Sequence, residues 1–172
     1  MKKVLGSWFL VLGVLLAFAG GSLLLPGQAW ATDTVTISDS ERPKTTAWSR
    51  GVRLITINFS SDDGAIARSA TYTVNGVAGQ SVNVTGSLVG FHYTPDATNT
   101  PDAAADIQVY NHLTGGVNLL SGLCDNVGAT ETDPNLDTFP VRSLIDETFY
   151  FSAGSLGTGI NAGVLTLKVW LP

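Results

Sequence analysis

Side chains able to do chemistry are few and scattered in this chain. It has one thiol, Cys124, and two imidazoles, His92 and His112. A nucleophilic thiol needs a base or cation to draw off its proton, and a nucleophilic serine needs a histidine within hydrogen-bond reach. Nothing in the sequence places an activating base for Cys124, and neither histidine lies near a nucleophile elbow. Two imidazoles and one thiol also fall short of the four ligands of a structural zinc site, so His92 and His112 read as hydrogen-bonded strand residues. Cys124 reads as a small buried hydrophobe between Leu123 and Asp125, or as half of an intermolecular disulfide.

Oxygen ligands gather in two places. Ser60-Ser-Asp-Asp-Gly64 has the composition of a turn, with aspartates bonding their own backbone and glycine in the left-handed position; alone it offers too few ligands at fixed spacing for a calcium loop. Farther on, Asp133, Asn135 and Asp137 occupy alternate positions, like the opening of a calcium loop. The likeness then stops. Thr138 stands where the sharp turn wants glycine, and Leu144 where a bidentate glutamate closes the site. Residues 125–140 therefore read as a long solvated loop fit to carry a contact surface, with no metal or other cofactor expected. Glu41, Glu131 and Glu147 join the aspartates as carboxylates of the kind glycoside hydrolysis uses, but nothing in the sequence sets a separation between any two. The glycine-rich residues 154–163 lead into a strand and offer no lysine, unlike a phosphate loop. The expectation is a protein without catalytic activity.

Aromatic residues are the remaining candidates. Tyr110, Tyr150 and Trp170 fall on outward positions of their expected strands, and Trp48 lies just before one. They are candidate partner-binding residues, or, as a carbohydrate-binding module, sugar-stacking ones. The carbohydrate reading requires them on one face. The alternative is that they cover neighbouring side chains.

The elements that position these residues follow an N-terminal leader. Lys2 and Lys3 precede an apolar run, and Ala29-Trp30-Ala31 supplies small residues at the −3 and −1 positions of a cleavage site. Residues 1–31 thus read as a signal peptide, interrupted by Gly13, Gly20, Gly21 and Pro26, and no membrane segment is expected after its removal. The mature protein is expected outside the cell, at its surface or in the periplasm. Of the chain's nine basic residues two lie in this leader, and none of its fourteen acidic ones do, so the mature chain is more acidic than the formal net charge of −5. Its cations are dispersed, which argues against nucleic acid as a partner.

Beyond the leader, apolar residues alternate with polar ones in short runs bounded by Gly, Asn and Asp, and none recur with helical spacing. Ile55, Ile57 and Phe59 form one such face; Leu165, Leu167 and Val169 form another. Asn75-Gly76 marks a hairpin between strands over 70–74 and 77–84, with a bulge at Gly79. A second hairpin is expected at Gly115-Gly116, joining residues 106–113 to a return strand carrying Val117, Leu119 and Leu120. Further strands are expected over 88–94, 141–145 and 147–153. The whole of 32–172 reads as one all-β domain, an antiparallel β-sandwich or jelly roll. Residues 32–46 supply a first strand, ending near Ser38, and a polar linker. That strand belongs to its own sheet or serves as an arm added to a neighbour's edge.

Several of these segments together carry a family resemblance. Ser-x-Asp-x-Gly over 60–64, the Pro-Asp loop, Asp106-Ile-Gln-Val, Gly116-Val-Asn-Leu-Leu-Ser-Gly122, Asn126 and Gly163-Val-Leu-Thr-Leu-Lys-Val form a pattern over residues 51–171. It resembles that of small virion-structural proteins of tailed bacteriophages. The resemblance implies an all-β assembly or decoration module without enzymatic activity. Virion proteins of this kind carry no signal peptide, so the leader points instead to an exported relative in an extracellular assembly. Self-assembly or a protein partner is therefore the leading expectation for function, with glycan binding second and a secreted hydrolase third.

Overall fold

Strands arise where apolar side chains alternate, because every second residue then faces one side of the sheet. The computed structural model describes residues 33–42, 51–134 and 139–172. The leader, the linker residues 43–46, Trp48, Asn135 and Asp137 lie outside the described residues. β2 (Val52–Ser61) buries Ile55, Ile57 and Phe59, and β10 (Asn161–Trp170) buries Leu165, Leu167 and Val169. These two strands pair along their whole length, from Asn161 opposite Ser61 to Trp170 opposite Val52. With β1 (Thr34–Arg42), β4 (Tyr72–Val74), β5 (Val77–Gln80), β6 (Asn83–Pro95) and β8 (Arg142–Thr148) they form a seven-stranded sheet in the order β5-β4-β1-β2-β10-β6-β8. A three-stranded sheet, β3-β9-β7, is built from β3 (Ile66–Ser69), β9 (Tyr150–Gly154) and β7 (Asp106–Tyr110).

The inner faces of the two sheets share one core. Ile55, Ile57, Phe91 and Tyr93 from the larger sheet and Ile107, Val109 and Phe151 from the smaller belong to it, and the rings of Phe59 and Phe151 meet with centroids 5.2 Å apart. The protein is an all-β sandwich, and Ala31–Pro172 forms a single compact unit. The chain passes from the edge of one sheet to the middle of the other at a single buried residue, Phe149, whose amide donates to the Val82 carbonyl at 3.0 Å.

Several expectations need correction. β1 does not break after Ser38 but continues to Arg42. Arg53 on β2 holds Asp39 with two parallel bonds, Nε to Oδ1 at 2.9 Å and Nη2 to Oδ2 at 2.6 Å, and the Asp39 amide donates to Asn75 Oδ1. Those partners satisfy polar residues that otherwise read as linker. β1 is flanked by β2 and β4 within its own sheet, and its pairing with β4 is parallel, so the sheet is mixed rather than uniformly antiparallel.

The Asn75-Gly76 hairpin forms, with both residues at positive φ, and two residues of β5 stand opposite one of β4 at the Gly79 bulge. Its second strand, however, stops at Gln80. Val84 belongs instead to β6, which runs unbroken through the expected 88–94 strand. Gly86 makes this possible. A Cβ there would lie 2.3 Å from the Trp170 carbonyl oxygen, and its φ of +144° lies outside the usual range of other residues.

The Gly115-Gly116 hairpin is not formed. β7 ends at Tyr110, and Asn118 meets it in an isolated bridge, with the Leu119 amide on the Val109 carbonyl. Leu119 and Leu120 are both buried, as is Cys124, and adjacent inward residues require a turning chain rather than a strand. His112 accordingly lies in a bend, with Nδ1 2.8 Å from the Thr114 carbonyl oxygen, and not on a strand. Finally, the expected strands over 141–145 and 147–153 divide at Phe149 instead, where the chain changes sheets.

Candidate functional site

The three described candidate aromatics, Tyr110, Tyr150 and Trp170, are divided between the two sheets. Tyr110 and Tyr150 stand opposite one another on β7 and β9, on the outer face of the three-stranded sheet. Arg68 on β3 lays its guanidinium 3.2 Å from the centroid of the Tyr110 ring, and its Nη1 donates to the His112 and Leu113 carbonyls. The Tyr110 hydroxyl donates to Gln108 Oε1 at 2.7 Å, and Gln108 donates in turn to Asp125. One face of the Tyr110 ring is therefore covered and its hydroxyl engaged, so the residue clamps the loop that follows β7. Trp170 projects from β10 on the outer face of the other sheet, opposite in direction to Leu167 and Val169. Tyr110, Tyr150 and Trp170 do not share one face, because β7 and β9 belong to one sheet and β10 to the other.

Asp133 lies beside His92 of β6. Thr132 bridges Tyr93 with reciprocal backbone bonds of 2.8 and 2.9 Å, laying residues 131–133 against β6. Glu131 Oε1 then lies 3.2 Å from His92 Nε2, and Asp133 Oδ2 lies 3.6 Å from His92 Nδ1. The two carboxylates meet opposite nitrogens of one ring and do not converge on a point where an ion could sit. In the turn after β2, Asp63 Oδ1 accepts from the Ser61 hydroxyl and the Ala65 amide, and these bonds hold the carboxyl below its ordinary value. Cys124 is fully buried, and burial, followed by the charge of Asp125, pushes its thiol up to about 12. A thiol in that setting is a packing group and not a nucleophile.

The surface that sequence reasoning missed is the outer edge of the larger sheet. Val84 pairs with Glu147 and Gly86 with Leu144, so Ile145 and Asp146 together face Thr85. This bulge is held by Asp146 at a φ of +53° and by its amide donating to Thr85 Oγ1 at 3.0 Å. Leu144 is buried, so its neighbour Ile145 faces outward and is 80% exposed, and Val141 nearby is 55% exposed. Beside them runs an open cleft of about 660 Å³ lined by Ser143, Ile145, Trp170, Leu171 and Pro172 among others.

No family model, curated protein or solved structure matches the chain.

The other sheet edges are short or covered. β5 has four residues and is bent by its bulge, and β3 also has four. β7 is capped on its outer side by the chain from Asn118 to Val127, through Leu119, Cys124 and Val127. Among the described residues β8 is thus the longest edge with no chain paired to its outer side. One signal for it was present in the sequence: Leu144 and Ile145 are adjacent, and a strand cannot turn both inward.

Proposed function

We propose that this chain is a non-catalytic subunit of an extracellular or cell-surface assembly, joined to further copies of itself along β8. The observation that carries this reading is the 80% exposure of Ile145 on an edge strand to whose outer side no described strand pairs. An edge of this kind offers free backbone donors and acceptors to another strand, and an exposed isoleucine gains by covering. The order of charges along β8 favours a second copy as the occupant. Arg142 lies near one end and Asp146-Glu147 near the other. Antiparallel pairing of two copies sets the arginine of each opposite the acids of the other, whereas parallel pairing stacks like charges. Export is supported by the lysines, apolar run and Ala29-Trp30-Ala31 of the leader.

Sedimentation velocity on residues 32–172 tests this. The expected result is a dimer or larger species that becomes monomeric in Ile145→Lys and weakens in Arg142→Glu. Exchanging both charges, Arg142→Glu with Glu147→Arg, restores association. A monomer at every concentration, or oligomers indifferent to Ile145→Lys, overturns the reading.

A further inference from the structure

A second groove lies on the outer face of the larger sheet, on β6 and β10, and shares Trp170 with the cleft beside β8. Its volume is about 390 Å³, within the roughly 300–1,000 Å³ of small-ligand sites. Val89 and Gly90 form its floor, Trp170 one wall, and the Asp133-Pro134 segment another. Gly90 pairs with Lys168, and a Cβ at Gly90 would meet no atom within 4 Å, so the missing side chain leaves open space above the sheet. Val89 is buried although it lies outside the shared core, which places apolar surface beneath the groove.

The polar groups come from three segments. Lys168 and Thr166 project from β10, His92 from β6, and Asp133 from the strand-like piece that Thr132 pins to Tyr93. His92 is oriented by Thr94 Oγ1 at 2.9 Å, by Glu131 and by Asp133. The Asp133 carboxylate remains 71% exposed and can accept further hydrogen bonds. Charges of both signs line the rim, so an ion of either sign meets a like charge as well as an unlike one. A neutral polyol meets donors and acceptors together, and the apolar face of a sugar ring suits an indole wall.

We infer that the groove between Trp170 and Asp133, floored by Gly90, is a binding site for one neutral sugar ring of a glycan. The site uses no residue of β8 and neither member of the tyrosine pair on the smaller sheet.

Saturation-transfer difference NMR on residues 32–172 with glucose, galactose, mannose and N-acetylglucosamine tests the inference. At least one sugar is expected to receive saturation at its ring protons. Gly90→Leu, which fills the groove at a position with room for a side chain, is expected to abolish the transfer. Lys168→Ala is expected to reduce it several-fold, and Tyr150→Ala to leave it unchanged. Circular dichroism melts confirm that each variant is folded. Absence of transfer from all four sugars overturns the inference, as does transfer that survives in folded Gly90→Leu or disappears in folded Tyr150→Ala. If Gly90→Leu fails to fold, Lys168→Ala decides: unchanged transfer overturns the inference and reduced transfer supports it.

Discussion

The hydroxyl of Tyr72, on the larger sheet, receives the backbone amide of Phe151, on the smaller, at 2.6 Å. It also donates to the Ser69 carbonyl, so one side chain fills the gap where the pairing of β3 and β9 shifts register between Ile66 and Ser69. Replacing it by Phe leaves a buried amide without its partner. Tyr72→Phe is expected to cost about 1–3 kcal/mol of unfolding free energy, measured by urea denaturation. A cost near zero would mean that the hydroxyl does not join the sheets.

Arg53 ties β1 to its own sheet. Beyond its two bonds to Asp39 it donates through Nη1 to the Asn83 carbonyl at 2.8 Å, linking β1, β2 and the start of β6. A double-mutant cycle with Arg53→Met and Asp39→Asn is expected to give a coupling energy of about 1–3 kcal/mol. Additive single effects would contradict the paired geometry.

Gly86→Ala is expected to destabilise by at least about 1 kcal/mol, read from the midpoint of urea unfolding. The new methyl meets the backbone oxygen of Trp170, which cannot swing aside as a side-chain tip does. Gly76→Ala is the control. It also has a positive φ, +84° against +144°, but meets nothing within 4 Å, so the difference between the two variants reads the close approach of β6 to β10 together with the less accessible φ of Gly86.

Stability should fall at alkaline pH. Burial raises the Cys124 thiol from 9.0 to about 12 and the Tyr72 hydroxyl from 10.0 to about 12. Both groups are held neutral in the fold, so the unfolded chain loses these protons first. Their contribution is complete below pH 9 and is lost as pH rises from 9 toward 12. Melting temperatures measured from pH 7 to 11 are expected to fall above pH 9, and Cys124→Ala removes the earliest part of that fall. A profile unchanged by Cys124→Ala contradicts the buried-thiol geometry.

Where a strand has one buried face, its sequence was legible. Ile55, Ile57 and Phe59, or Leu165, Leu167 and Val169, alternate without interruption, and Asn75-Gly76 turns as its residue types demand. Features made by partners distant in the chain were not. Asp39 reads as linker until Arg53 is beside it, and the parallel pairing of β1 with β4 leaves no local trace. The hairpin expected at Gly115-Gly116 failed because Leu119 and Leu120 both turn into the core, against the alternation a return strand needs. The candidate aromatics were readable as outward residues, but their division between two sheets depends on strand order, which residue types alone do not encode.

Association through β8 is the central claim, and amide hydrogen exchange of residues 32–172 at low and high protein concentration tests it most directly. The expected result is protection that rises with concentration at amides of β8, while those of β5 at the opposite edge keep exchanging at the same rate. Exchange in β8 that is unchanged by concentration, or protection that grows at β5 instead, would contradict it.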